Sequence, residues 1–124
     1  MRDRAAAGLI AAVVSGAPST LWALARGRDP LEATRAAGSI VAPHADGPAL
    51  LAASAAVHLT VSLFWASVLP RGLGARRGAF AGLAIAALDL GVLGRRFPHI
   101  RELPLAPQLA DHTFFGATFG ALCD

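Results

Sequence analysis

The chain of 124 residues has no lysine and no tyrosine, a single cysteine, a single methionine and only 15% charged residues. Each scarcity excludes something. One cysteine, Cys123, rules out an intrachain disulfide and any multi-cysteine metal cage. Charge this sparse, beside 55% hydrophobic residues, is too little for the surface of an ordinary water-soluble domain of this size. The signatures of soluble enzymes are missing as well: there is no HExxH, no GxSxG, no Walker loop and no cysteine pair, and no enzymatic activity is expected. The net charge of +3 comes from arginine alone. Arginine points to nucleic acid when it gathers in one patch, but here it falls in the gaps between apolar stretches, as it does beside membrane spans. The expected partner is therefore a lipid bilayer and not nucleic acid.

What the chain does have is long apolar runs. Residues 49–69, ALLAASAAVHLTVSLFWASVL, contain no Asp, Glu, Lys or Arg, and one histidine, His58, near the middle. A hydrocarbon core of ~30 Å needs about 20 apolar residues at ~1.5 Å each, so this run is long enough to span. Three more runs, 5–25, 78–94 and 105–122, complete an all-α membrane four-helix bundle in one integral domain. The first contains Pro18, which predicts a kink there, with Ser15, Ser19 and Thr20 available to satisfy freed backbone groups. Its basic start and the Ser15-Gly16-Ala17 triplet imitate a signal-peptide cleavage site; proline after the cut and the resumption of apolar residues favour a retained helix. Between the first two runs, Asp29-Pro30-Leu31-Glu32 carries a capping residue, an N1 proline and an acid three positions on, predicting a short interfacial helix over 30–41. The basic loop PRGLGARRG has glycines at 72, 74 and 78, but their spacing is wrong for a dinucleotide loop, and a flexible turn is the better reading.

Four spans put both termini on one side. Arg2, Arg4, Arg71, Arg76 and Arg77 then oppose Arg26, Arg28, Arg35, Arg95, Arg96 and Arg101, which leaves the arginine count nearly balanced. Cytoplasmic termini are preferred, because the longest and most acidic loop is then exported. The abundance of Ala, Gly, Arg and Pro resembles the product of a GC-rich bacterial genome, which suggests the bacterial plasma (inner) membrane.

Small and polar residues recur at helical spacing in every span. Ser54, His58, Ser62 and Ala66 do so in the second, Gly78, Gly82 and Ala86 in the third with Asp89 following, and His112, Gly116 and Gly120 in the fourth. Gly8, Ala12, Ser15 and Ser19 mark the first. Such stripes let helices approach closely in lipid, so they predict inward faces, with GATFG as a second packing face for self-association or another membrane protein. Counting ~1.5 Å per residue puts His58 near mid-depth and Asp89, Asp111 and His112 roughly 9 to 12 Å from the long-loop surface. A charge inside the hydrocarbon costs ~2.5 to 3.5 kcal/mol on insertion scales, so these carboxylates need partners, protonation or water. Two functional readings follow. In one, His58 and His112 titrate, with Asp111 and Asp89 as counter-charges, Ser62 beside them, and Arg95 and Arg96 as an electrostatic mouth, making a site that senses or conducts protons or a small ion. In the other, a non-catalytic accessory or structural subunit uses the same residues only to hold helices together. A divalent metal on two His and one or two Asp lacks any local ligand spacing, so no metal and no cofactor is assigned; a nucleophilic set from Ser62, His58 and Asp111 would need a water-filled cavity.

GLIAAVVSG in the first span, VHLTVSLFWA followed by Pro70, FAGLAIAALDLG in the third span and LADHTFFGA in the fourth together resemble the YagU-like family of small bacterial inner-membrane proteins. The resemblance implies functional roles for His58 with Ser62 and for His112. The histidine that the family pattern would put in the third span is absent, and Asp89 stands near its place. Members of that family have been linked to acid tolerance, which the resemblance extends to this chain as an expectation.

Overall fold

A computed structural model describes residues 3–123, all of whose regular structure is α-helical. The elements are α1 (Arg4–Val14), α2 (Ala17–Ala25), α3 (Glu32–Gly38), α4 (Gly47–Val68), α5 (Gly74–Arg96), α6 (Pro98–Arg101) and α7 (Leu105–Leu122). Three helical stretches, Arg4–Ala25, Gly47–Val68 and Gly74–Arg96, are long and apolar enough to cross a membrane. α7 has 18 residues, and Gln108, Asp111 and His112 dilute its apolar character.

Local chemistry explains where most of these helices begin and end. Asp3 caps α1, its Oδ1 accepting the Ala5 and Ala6 amides at 2.8 and 3.3 Å. α1 stops at Val14, four residues before Pro18, because the proline ring would collide with the carbonyl of residue 14. The interruption thus lies at Ser15-Gly16, two to three residues ahead of the proline. Proline is then accommodated in the first turn of α2, where a missing amide costs nothing. The short third helix starts at Glu32, later than the Asp29-Pro30 signal predicts. Asp29 Oδ1 accepts the Leu31 amide at 2.9 Å, closing a turn in front of the helix, and Glu32 pairs with Arg28 instead of reaching back to complete a capping box. In the loop between α4 and α5, Gly72 and Gly74 have φ of +69° and +70°, a left-handed conformation that favours glycine; turn geometry therefore accounts for their spacing.

The long helices pack in the order α4, α1 with α2, α7, α5, while α3 lies on α4 and α6 on α5. The tightest seam is α5 against α7. A Cβ on Gly78 would collide with the Gly116 carbonyl, one on Gly82 with the His112 carbonyl, and one on Gly116 would lie 2.7 Å from the Gly82 amide nitrogen. Backbone therefore meets backbone, as the small-residue stripes predict. That contact uses Gly116 and Gly120 within the chain, so the GATFG face expected to be available for self-association is already covered. α1 approaches α4 almost as closely, since a Cβ on Gly8 would lie 2.6 Å from the Ala66 Cβ.

The packed core occupies one end of the molecule. Ala7, Ala11, Ala66, Phe119 and Cys123 are buried there together. Arg4 closes this end by donating to the carbonyls of Ala66 and Ser67 where α4 terminates, and the Gly72 amide donates to the Cys123 carbonyl at 2.9 Å. Towards the other end the helices separate. α4 and α5 do not pack along their length, and the space between them is hollow. Large apolar side chains meanwhile face outward: Val13 is 78% exposed, Leu21 66%, Phe80 64% and Val92 65%. Small residues inside and large apolar ones outside invert the arrangement of a water-soluble protein.

The seam supplies a direct test. Gly82→Ala forces a methyl into the His112 backbone and is expected to destabilise the protein by about 1 to 3 kcal/mol. Gly91→Ala has open space around it and is expected to be neutral or to stabilise by up to ~1 kcal/mol. Thermal unfolding of both variants in the same detergent compares them.

Candidate functional site

The break between α1 and α2 creates the first half of the site. Interrupting a helix leaves carbonyls without amide donors on one side and amides without acceptors on the other. At this break, side chains from two other helices take those places. His58, from α4, donates from Nε2 to the Ala12 carbonyl at 2.7 Å, and Ser15 Oγ donates to the same oxygen at 3.0 Å. Asp111, from α7, accepts the Ser19 amide on Oδ1 at 2.8 Å. A carboxylate at the start of α2 also meets the positive end of that helix dipole. Asp111 is thus held by backbone in the first instance.

The second half lies between α5 and α7. His112 Nδ1 donates to the Gln108 carbonyl one turn back at 2.8 Å, and its Nε2 sits 3.5 Å from Asp89 Oδ2. Trp65, from α4, reaches across the hollow and donates from Nε1 to both Asp89 oxygens at 3.1 Å. These contacts restrict the proton count. With Nδ1 committed as a donor, a neutral imidazole would present the lone pair of Nε2 to a carboxylate. The arrangement is attractive only when a proton lies between them, on Nε2 or on Asp89. The glycine seam sets this pairing, because Gly82 lies against the His112 backbone about two turns before Asp89 on the same helix.

Both halves face one cavity of about 410 Å³, lined by all the long helices, with α3 and the α6 segment at its outer end. His58, Ser62, Asp89, Asp111 and His112 all line it, so five of the sequence-predicted residues come together. Asp89 and His112 retain only about a fifth of their side-chain exposure (17% and 21%). The two mouth arginines do not join them. Arg95 lines a neighbouring pocket between α5, α6 and the start of α7, Arg96 lines neither, and both are exposed. Gly78, Gly82, Gly116 and Gly120 serve the seam and not the cavity wall. Among the described residues no three His, Cys, Asp or Glu side chains converge to hold a metal ion.

Comparison with known proteins adds no family: no family model, no curated protein and no solved structure matches the chain. The chemistry has to be read from the geometry.

Trp65 is the participant that the sequence reading missed. The signal was present, since Trp65 stands seven residues after His58 and three after Ser62, on the same helical face as the polar stripe. A tryptophan within a span ordinarily reads as packing or as an interfacial anchor, and only the partner's position reveals the bond to Asp89.

Capping of α2 can be separated from charge. Asp111→Ala removes the acceptor and is expected to cost about 0.5 to 2 kcal/mol and to speed hydrogen exchange at the Ser19 amide. Asp111→Asn keeps an oxygen in place and is expected to retain most of that protection. Residue-resolved exchange by NMR distinguishes the two.

Proposed function

We propose that the protein is embedded in a membrane as four spans, α1 with α2 forming the first and α7 the last, and that its His/Asp cavity senses or conducts protons. The observation that carries the proposal is the His112–Asp89 contact. An imidazole already donating from Nδ1 and set 3.5 Å from a carboxylate holds an exchangeable proton, and it does so beside a cavity that reaches His58 and Asp111. Imidazole is the side chain whose ordinary titration falls nearest neutral pH, so a proton stored on such a pair can be given up and regained under physiological conditions. Ser62 and Ser19 line the same cavity and supply hydroxyls that could relay it. The outward-facing Leu21, Phe80 and Val92 support the lipid environment, and Trp22, stacked with Arg26 and Arg28 at 5.2 and 5.4 Å, resembles an interfacial anchor. The YagU-like resemblance falls on His58, Ser62 and His112, which supports the same residues. A bacterial inner membrane and cytoplasmic termini are part of this proposal.

A structural role is the second reading, and one observation favours it. His58 and Asp111 each bind a backbone group of another helix, as residues holding helices together do. Proton flux separates the readings. Purified protein in liposomes under a pH gradient, read with an internal pH dye, is expected to carry flux that His112→Ala and Asp89→Asn abolish while leaving helicity and elution volume unchanged. If wild type carries no flux above empty liposomes and both variants lose only thermal stability, the structural reading holds.

A further inference from the structure

We infer that the cavity is a binding site for a lipophilic organic cation, with Asp111 as its counter-charge and Trp65 and Phe115 in its wall. The inference rests on the proposed membrane setting, but not on proton conduction.

Size is the first argument. About 410 Å³ lies within the ~300 to 1,000 Å³ typical of sites for small organic molecules. A mostly apolar lining with a few converging polar groups is also the usual make-up of such a site. Here Val61, Ile85, Leu90 and Phe115 accompany the His and Asp side chains.

Charge selects the ligand's sign. The ionisable groups facing the cavity are Asp89 and Asp111, His58 and His112; no arginine lines it. One proton shared by His112 and Asp89 leaves that pair neutral. His58 Nε2 is taken up by the Ala12 carbonyl. Asp111 is then the remaining carboxylate, and a cationic ligand would supply the counter-charge that lets it ionise in apolar surroundings. Of its two oxygens only Oδ1 holds a hydrogen bond among the described residues, from the Ser19 amide, and a single amide does not neutralise a charge in apolar surroundings. An anion is repelled by this cavity and a cation is attracted to it. The wall reinforces the choice, since the aromatic faces of tryptophan and phenylalanine favour cations over anions. Access suits a lipophilic ligand: α4 and α5 do not pack along their length, and the Trp65–Asp89 bond reaches across that gap.

Two probes of the same shape and opposite charge, tetraphenylphosphonium and tetraphenylborate, test this. Trp22→Phe leaves Trp65 as the sole tryptophan, because the chain has two. In dodecyl maltoside micelles, tetraphenylphosphonium is expected to quench Trp65 fluorescence saturably, and Asp111→Asn, which keeps the Ser19 acceptor, to weaken the apparent Kd at least tenfold with unchanged circular dichroism. Tetraphenylborate is expected to show only the unsaturable quenching of empty-micelle partitioning. Saturation by both probes alike, no saturation by the cation, or an unchanged Kd in Asp111→Asn overturns the inference. Any of these with proton flux intact leaves the proton reading standing; cation binding without flux does the reverse.

Discussion

The interruption of the first long helix at Ser15-Gly16 is the constraint on which the arrangement depends. Pro18 makes it unavoidable, and backbone groups freed by it cannot be left bare in apolar surroundings. The chain answers with side chains brought from far away in sequence: His58 takes the carbonyl side and Asp111 the amide side. An ionisable group that is expensive to bury thereby offsets an unsatisfied backbone group that is also expensive. This reciprocal satisfaction explains why two such residues are found together beside a broken helix. It also fixes α4 and α7 on either side of the first helix.

The two ends of the molecule divide the work. At the end closed by Arg4, glycine and alanine draw the backbones together, and Phe119 and Cys123 fill what space remains. That solid half carries the stability. At the other end the same helices diverge, α4 and α5 lose contact, and the cavity opens with its polar groups on the walls. The continuity between the halves runs along the α5–α7 seam, where Gly82 sets the height of His112 and so its distance to Asp89. The backbone of His112 thus lies on a rigid contact, with Asp89 about two turns along α5 from it, which favours a fixed geometry over a mobile one.

Much of this was legible in the residues. Intervals of four between Gly78 and Gly82 and between Gly116 and Gly120 foretold the faces that meet, because a stripe of small residues has few uses other than close approach. Rise per residue alone gathered Asp89, Asp111 and His112 at a similar depth. What a helical wheel does not contain is the identity of the neighbour. His112 had two carboxylates to choose from, and its adjacent Asp111 is turned to α2 while Asp89 on α5 receives it. Trp65 bonding to Asp89 across a gap, and the helix break falling two to three residues before Pro18, likewise follow from three-dimensional packing and from the reach of the proline ring to residue 14. The short helix before α4 was misjudged in its start because Asp29 and Glu32 found other partners: Arg35 takes the first and Arg28 the second.

The central claim is that one proton resides between His112 and Asp89. Solid-state NMR of the protein in bilayers, with ¹⁵N-labelled histidine and ¹³C-labelled aspartate assigned through His112→Gln and Asp89→Asn, reads both partners at neutral pH. The expected result is either an imidazolium with both ring nitrogens protonated or a neutral carboxylic acid at Asp89 facing a bare Nε2. A neutral His112 protonated only on Nδ1 beside an ionised Asp89 would contradict it, and the pair would then be a packing contact with no proton to exchange.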